Sequence, residues 1–538
     1  MEPIYAYALC GAAVAVAVLT RIRRRRSLRN IRGPSSPSWL FGNEYELFHQ
    51  AETGDLDFAW MREYGPTWRT HGYFGAEQVM TTDPKALAHI YKAGYNYYKR
   101  VDLNHMTYLM LGPGVLWAEG EKHHRHRKVM NPAFAPAQIR AFVPLFQRTA
   151  QKLAQRWRAE IARAPGKPLL VNEWLARGSL DIIGEAAFDY DFGALDGQEN
   201  PLGKEINAVI GESLLAPSKG ILAVWALFTL LPERILLLTK HTPAAAFARF
   251  RRLNASFAAI GRPIYREGVA ADAWESGDRT ARRDVLSVLV KANRTERAST
   301  RLGEDEVLAQ MHNLTAAAQE TTATTLSWMF WELAKRPAVQ AAIRREVRDA
   351  RGGARPDGFT VEELEGMRLL GPRSRCETLR YHPTAFHLWR VAAVADVIPL
   401  SEPVVGADGQ WIHEIPISAG TGVHISVCGY HRLKSAWGDD AHEWNPDRWF
   451  TLDPAKQVKI GIYENLMSFS SGPHACIGWK FGLYQIQAVA AEFLEQFEFA
   501  LPLDKPHIRR TPAAIMMPMV DGKPELGAAM PLRVSVAA

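Results

Sequence analysis

The sequence predicts a mainly helical protein with small β-sheets, in which one large body follows an N-terminal membrane anchor. Three observations lead to this prediction. Long stretches in the middle of the chain repeat apolar residues with the 3.6-residue period of a helix. Short runs that alternate apolar and polar residues lie on either side of them. An uncharged apolar segment near the start precedes a cluster of arginines.

The anchor is predicted at residues 1–20, because residues 4–19 carry no charge and are mostly apolar. Seven arginines follow between positions 21 and 32. A cleaved signal peptide is the alternative, but it carries its basic residues before the apolar region. An arginine run can also bind nucleic acid, but this run directly follows an apolar segment, and we expect no nucleic-acid partner. The positive-inside rule then predicts a lumenal N-terminus, a basic Pro/Gly-rich linker at 21–38 and a cytoplasmic catalytic domain at 39–538.

The body has the composition of a globular protein, with 47% hydrophobic and 22% charged residues. Its four cysteines lie far apart, so their spacing indicates neither a disulfide framework nor a zinc site. Periodicity and turn residues place the secondary structure. The predicted elements are strands at 67–73 and 78–81, helices at 135–163 and 305–335, strands between 392 and 429, a helix at 481–497, and short strands from 508 to 536.

The most specific motif is the loop 469–478, in which Cys476 comes just before a predicted helix. Backbone N–H groups at a helix start stabilise a thiolate. Gly472 and Gly478 allow a turn and a close approach to a flat group, and Phe469 is expected to cover the sulfur. The alternative is an ordinary buried cysteine.

This Phe-x-x-Gly-x-x-x-Cys-x-Gly pattern resembles the haem loop of the cytochrome P450 family, and the chain is similar to fungal microsomal members. The resemblance implies that Cys476 ligates the iron of haem b (iron protoporphyrin IX), a ligation that favours O–O cleavage. It also implies that Phe469, Gly472, His474 and Gly478 contact the haem. His474 stands where the family usually has arginine, so its charge depends on pH.

Three further motifs occur in the family's order. Glu377-x-x-Arg380, with Arg448, resembles the network that holds the haem loop. The preceding Gly371-Pro372 departs from the family: either that helix starts late, or the sequence is imperfect there. Residues 317–322 resemble the oxygen-binding segment, which implies proton delivery by Glu320 and Thr321; a polar stripe on a solvated helix is the alternative.

The third motif is the basic segment 120–128, which resembles the helix that binds the haem propionates. His123 takes the position of the family's tryptophan, and Arg127 that of its arginine. The alternatives are a solvated basic face, a docking face for a partner that includes Arg125 and Lys128, or a histidine metal site. No nearby carboxylate or cysteine completes a metal coordination set.

The resemblance implies a monooxygenase of the endoplasmic reticulum membrane that oxidises a lipophilic small molecule: a terpenoid, a fatty acid or an aromatic compound. Dioxygen is the co-substrate. Electrons come from NADPH through NADPH–cytochrome P450 reductase, with cytochrome b5 as a second candidate donor, because the chain has no GxGxxG that opens a helix after a strand. By position, the substrate pocket is expected to include Met106, Leu116, Ala317, Phe386, His387 and Met516.

Several alternatives stay open at this point. The apolar run 220–240 is either a lid over the access channel or a simple core helix. A haem-thiolate isomerase or dehydratase would need no reductase, and it would be expected to lack the pair formed by Glu320 and Thr321. A non-catalytic haem-binding protein, or a broken gene product, is favoured only by Gly371-Pro372.

Overall fold

The computed structural model describes residues 28–197, 215–270, 284–297, 299–352, 358–453 and 457–538, and helices make up most of these ranges. The longest described helix begins with three acidic residues, whose negative charges interact favourably with the positive end of the helix dipole. The described α-helices are α1 Glu44–Phe48, α2 Asp55–Tyr64, α3 Pro84–Lys92, α4 Val101–Leu111, α5 Gly120–Met130, α6 Pro136–Arg140, α7 Val143–Arg163, α8 Val171–Phe188, α9 Lys219–Phe228, α10 Glu233–Leu236, α11 Ala245–Ala270, α12 Val285–Thr295, α13 Glu304–Ala334, α14 Pro337–Arg351, α15 Val361–Gly366, α16 Cys376–Tyr381, α17 Val427–Tyr430, α18 Lys434–Trp437, α19 Arg448–Thr451 and α20 Trp479–Gln496.

Small sheets lie among these helices. The five-stranded sheet has the order β1-β2-β8-β5-β3, with β2 and β8 parallel and the other pairs antiparallel. The smaller sheets are β4-β12-β9, β6-β7 and β10-β11. The predicted class, mainly helical with small sheets, is confirmed. The strands are β1 Thr67–His71, β2 Glu77–Thr81, β3 Tyr97–Lys99, β4 Leu169–Leu170, β5 His387–Ala392, β6 Asp396–Val405, β7 Trp411–Ile417, β8 Gly422–Ser426, β9 Phe497–Ala500, β10 Ile508–Pro512, β11 Met516–Val520 and β12 Pro531–Val536.

One large hydrophobic core joins residues from Phe48 to Val534. Helix α13 runs through it and packs against α8 and α20, and α20 also packs against α7. Aromatic rings fill the contact between α7 and α20: Trp157 meets Phe493 edge to face, with ring centroids 4.6 Å apart. The helix that carries the predicted oxygen segment and the helix that follows the predicted thiolate loop are therefore fixed in the core.

The start of the described chain packs onto the body. Leu28 and Ile31 are buried, and Ile31 forms a β-bridge with Gly406. Residues 28–38 of the predicted linker therefore lie against the five-stranded sheet region, where the carbonyl of Arg32 accepts a hydrogen bond from the Arg69 N–H at 2.9 Å. The predicted anchor, residues 1–20, falls outside the described residues. Within the described ranges, no helix has the length and apolar character needed to cross a membrane.

The Gly371-Pro372 irregularity lies in a π-helical segment, Leu369–Arg375, which leads directly into α16. The N–H of Arg373 reaches back five residues to the carbonyl of Arg368, at 3.3 Å. Pro372 has no N–H to donate, and the wide turn accommodates it without breaking the chain direction. The α-helical part therefore starts late, at Cys376.

Candidate active site

The Cys476 thiol lies at the end of a tight loop, three residues before α20 begins. Two backbone bonds close this loop: the Cys476 N–H donates to the carbonyl of Phe469 at 2.9 Å, and the Ala475 N–H donates to that of Gly472 at 3.1 Å. Cys476 has accessible surface although protein atoms surround it densely. That combination is expected of a side chain that borders an internal cavity.

Two opposing effects act on the Cys476 thiol. Burial raises its pKa above the ordinary value, whereas the Gly478 N–H and the Arg127 guanidinium act to lower it. A cation or metal centre in front of the sulfur adds to the second effect, because both favour the thiolate. The site is therefore poised to hold a thiolate once a positive partner is bound.

The two loop glycines have different roles. Gly472 has a φ of +63°, and a Cβ there would lie 2.6 Å from the carbonyl oxygen of Tyr91, so glycine is required for folding. Gly478 has an ordinary φ of −90°, and a Cβ there would meet only Phe134, at 3.8 Å. The protein itself has room for a larger side chain at position 478. If only glycine is tolerated there, the reason is the close approach of a bound group.

Polar side chains converge beside this loop. Arg127 Nη1 lies 2.5 Å from the carbonyl oxygen of Ala475. The His123 ring lies 4.4 Å from the His474 ring, centroid to centroid, and its Nδ1 is 2.8 Å from the Tyr95 hydroxyl. The structure thus brings together the three residues that the sequence assigned to haem contacts on this side: His123, Arg127 and His474.

The imidazoles of this cluster are neutral near pH 7. Burial lowers the pKa of His123 to about 3 and also lowers the pKa of His474, although the Glu119 carboxylate, 3.4 Å from His474 Nε2, opposes the second effect. Burial lowers the pKa of Lys99 to about 8. At neutral pH, His123 and His474 therefore offer hydrogen bonds, and the positive charge comes from arginine and lysine.

Sequence reasoning missed several members of this cluster. Lys99 and Arg390 both lie close enough to His474 to lower its pKa, and Tyr95 and Glu119 contact the two histidines. Arg390 lies in β5, three residues after His387, which was assigned to the pocket, but its approach to the loop depends on the pairing of β5 with β8 and β3. A local pattern does not report such a tertiary contact.

This donor set fits an iron porphyrin. A thiol that faces a cavity can ligate the iron, and the adjacent cations suit two propionate carboxylates. Nδ1 of His474 is buried and has no hydrogen-bond partner among the described residues, so a carboxylate acceptor would satisfy it.

The Glu377–Arg380 pair is completely buried and bidentate, with nitrogen–oxygen distances of 2.9 and 2.8 Å. Arg448 Nε lies 3.4 Å from Glu377 Oε1. Arg380 also donates to the carbonyl of His431, and His431 Nε2 accepts the N–H of Met467 at 2.9 Å. This chain of contacts connects α16 to the segment that leads into the thiol loop.

On α13, the Thr321 hydroxyl donates to the carbonyl of Ala317 at 2.7 Å. Burial raises the pKa of the neighbouring Glu320 to about 7. The start of α20 lies against this turn: a Cβ at Gly482 would be 4.0 Å from Thr322 Oγ1. The helix after the thiol and the predicted oxygen segment are therefore in contact, which favours the oxygen-binding interpretation over a solvated polar stripe.

The predicted pocket residues divide into two groups. Ala317 and Leu116 have exposed surface, whereas Met106, Phe386 and Met516 are buried in the core. His387 belongs to the buried group. Its side chain has no accessible surface and pairs with Asp57 at 2.7 Å, because β5 turns this residue toward α2.

An open cavity of about 360 Å³ lies between α4, α11 and α13. Aromatic and aliphatic side chains, including Tyr108, Phe250, Phe257 and Leu308, line much of it. His312 of α13 stacks on Phe257, with ring centroids 4.3 Å apart.

Comparison with known proteins gives the same picture. The family model described as cytochrome P450 matches residues 32–525. Cytochrome P450 monooxygenases 128 and 205 of Postia placenta are 32% and 33% identical to this chain. The alignments cover 98% and 97% of the chain and 96% of each relative. Cytochrome P450 monooxygenase claQ of Ampulloclitocybe clavipes is 32% identical, over 96% of the chain and 94% of that relative.

These matches confirm the resemblance that the motifs indicated. They extend over nearly the whole chain, and they include the loop, the buried Glu–Arg pair and the long helix described above. Members of this family bind haem through a cysteine thiolate and incorporate oxygen into their substrates. The chain belongs to the cytochrome P450 family and is a monooxygenase of that family.

Proposed function

We propose that this enzyme inserts one oxygen atom from O2 into a lipophilic small molecule, with Cys476 as the haem ligand. One observation carries the proposal. The only exposed thiol among the described cysteines faces the interior beside a cluster of cations, next to the helix that bears Glu320 and Thr321.

Haem, when bound, supplies the activation of dioxygen, which a thiolate ligand favours. The chain's own residues would hold it. Arg127 fixes the backbone before Cys476 and would offer its guanidinium to a propionate, and His123 and His474 would offer hydrogen bonds. Phe469 shields the sulfur from water. Lys99 and Arg390 supply further positive charge on the same side.

Glu377, Arg380 and Arg448 are positioning residues in this proposal. A buried, fully hydrogen-bonded ion pair allows little movement. Through His431, the network fixes the backbone at Met467, nine residues before the thiol ligand. Its task is to keep the loop in the geometry that the iron requires.

Glu320 and Thr321 deliver protons. A carboxyl group with a pKa of about 7 is partly protonated at neutral pH, so Glu320 can both give and regain a proton. Among the described residues, no side chain forms a hydrogen bond with its carboxylate, which leaves the group able to swing. The Thr321 hydroxyl, held by the carbonyl of Ala317, is placed to pass that proton on.

The substrate is lipophilic in this proposal, and it enters from the bilayer of the endoplasmic reticulum, where residues 1–20 hold the chain. The region of α9 and α10 has two apolar faces. Leu222 and Trp225 are buried, which fits the core-helix alternative. The outer face, which fits the lid alternative, exposes Val224, Leu227, Ile235 and Leu238.

Electrons come from NADPH through a separate reductase, with cytochrome b5 as an additional donor. Two of the basic residues assigned to docking, Arg125 and Lys128, are engaged within the chain, with Glu306 and Glu296. Lys480, at the start of α20 close to the thiol loop, has no such ion pair in the described structure and is the better docking residue.

The alternatives have less support. The pair formed by Glu320 and Thr321 is present, and an isomerase or dehydratase would be expected to lack it. The Gly371-Pro372 irregularity, which favoured a non-catalytic product, is accommodated in a π-helical turn.

The test is a difference spectrum of the reduced, carbon monoxide-treated protein, followed by turnover assays with reductase and a panel of lipophilic compounds. Thiolate-ligated haem has a characteristic red-shifted band. We expect that band in the wild type and its loss in Cys476→Ser, with product formed only when reductase and NADPH are present. The same band with turnover that needs no reductase would instead establish the isomerase class.

A further inference from the structure

A second group of reactive side chains lies where α2 meets the five-stranded sheet. Asp57 of α2, His387 of β5 and Cys428 of α17 offer a carboxylate oxygen, an imidazole nitrogen and a thiol sulfur. These three atoms lie within 4.8 Å of one another, and all three residues are buried. The proposed haem site does not use any of them.

Hydrogen bonds inside this cluster leave several polar atoms unsatisfied. His387 Nε2 lies 2.7 Å from Asp57 Oδ1, and the Ser426 hydroxyl donates to the same oxygen. Oδ2 of Asp57 and Nδ1 of His387 have no partner among the described residues. Buried polar atoms without partners are rare in folded proteins, and each calls for an explanation.

His424 of β8 adds a second, independent sign of a missing partner. Its ring centroid lies 4.5 Å from that of His387, and the side chain is almost fully buried. Neither of its ring nitrogens has a hydrogen-bond partner in the described structure. An imidazole with two unsatisfied nitrogens next to a carboxylate, an imidazole and a thiol is a typical ligand environment for a metal ion.

We infer that Asp57, His387 and Cys428 bind a structural zinc ion, with the His424 ring beside it. A ligand set of nitrogen, sulfur and oxygen matches the preference of Zn²⁺, whereas Mg²⁺ and Ca²⁺ prefer oxygen ligands only. On binding, the Cys428 thiol gives its proton to solvent, and His387 binds as a neutral imidazole. No oxidant or reductant is needed.

The ion would fasten distant parts of the chain to one another. Its ligands come from α2, β5 and α17, and α17 directly follows β8, the strand that pairs with β5. Cysteine spacing gave no sign of zinc, because the three ligands are dispersed between positions 57 and 428 and include only one cysteine. This inference does not depend on haem binding or on the proposed reaction.

The test measures zinc and iron in the purified, full-length, haem-loaded protein by inductively coupled plasma mass spectrometry, after dialysis against a weak chelator. The variants are Cys428→Ser and Asp57→Asn. Cys376→Ser is the matched control, because Cys376 is also a buried free cysteine but lies near the Tyr463 hydroxyl instead. We expect about one zinc per chain in the wild type and in the control, and about a tenfold loss in both variants.

Two results would overturn the inference. One is a wild-type protein that holds no zinc after incubation with Zn²⁺ and gel filtration, and the other is a zinc content that the variants leave unchanged. If the variants fail to fold, X-ray absorption at the zinc edge of the wild type identifies the atoms that bind the zinc. The site requires one sulfur at about 2.3 Å and nitrogen or oxygen at about 2.0 Å, and a shell without sulfur excludes it.

Discussion

Arg127 on α5 lies with its Nη1 2.5 Å from the carbonyl oxygen of Ala475, the residue that precedes the Cys476 thiol. This contact joins two segments that are 348 residues apart in sequence. Burial lowers the pKa of Arg127, because the charged guanidinium loses part of its contact with water. A half-buried cation of this kind is expected to have an anionic partner, and a haem propionate would serve.

Arg127→Ala is therefore expected to weaken haem retention. A charge-assisted hydrogen bond contributes roughly 1.5–3 kcal/mol, which corresponds to about a tenfold loss of affinity or more. The measurement is the ratio of haem to protein after gel filtration. Arg125→Ala is the control, since Arg125 is on the same helix but pairs with Glu306. Equal haem content in the two variants would contradict the assignment.

Glu377→Gln is expected to destabilise the fold strongly. Removal of one charge from a buried ion pair leaves the other uncompensated and costs about 3–5 kcal/mol. Urea unfolding measures this loss, and the carbon monoxide spectrum reports whether the thiolate bond survives. The control is Glu233→Gln, whose side chain is 60% exposed beside Lys122 and for which we expect a change of about 1 kcal/mol or less. Similar losses in both would show that the network has no special role.

Glu320 is expected to make stability depend on pH. Burial raises its pKa from 4.5 to about 7, so between these values the folded chain holds a proton that the unfolded chain releases. The stabilisation is complete below the unfolded pKa and is lost as the pH rises through the folded pKa. Relative to Glu320→Gln, the wild type should lose about 3 kcal/mol across this window. Urea unfolding of both proteins at several pH values checks it, and a constant difference would refute it.

Thr321→Ala is expected to separate electron use from product formation. In the proposed reaction this hydroxyl passes a proton on, so in its absence we expect NADPH still to be consumed while product per NADPH falls roughly tenfold or more. Thr325→Ala is a close control, because its hydroxyl makes the same bond one turn later, to the carbonyl of Thr321. An unchanged ratio in Thr321→Ala would remove this residue from the proton path.

The exposed apolar face of α9 and α10 is expected to contact the bilayer. Hydrogen exchange of the full chain, with and without phospholipid vesicles, should show protection over residues 219–241. Leu227→Glu combined with Leu238→Glu should abolish it, since charges are costly to place in the acyl region. Leu503→Glu, at another exposed leucine, is the control. If the vesicles still protect these residues in the double variant, this exposed face does not make the contact with the bilayer.

Local patterns predicted the elements that carry their own signature. The strands at 67–73 and 78–81 and the helix at 305–335 match β1, β2 and α13 closely, because each has a clear period of its own. The glycine and proline residues around Cys476 likewise specify a tight loop without help from distant residues.

Contacts between distant segments were not predictable in this way. Arg390, Lys99 and Glu119 meet beside His474 only after β3, β5 and β8 have paired. The burial of His387 depends on the position of α2, which no pattern near residue 387 reports. The π-helical turn at Gly371 was also missed, since a single wide turn leaves no repeating period in the sequence.

The parallel pairing of β2 with β8 has a consequence for synthesis in the cell. Gln78 pairs with Gly422, so the central sheet remains incomplete until most of the polypeptide has left the ribosome. Long-range pairing of this kind slows folding, and unpaired strand edges stay exposed meanwhile. Because the thiol loop emerges even later than β8, loading of the prosthetic group must be one of the last events of maturation, and shortages of haem should leave a nearly complete chain dependent on chaperones.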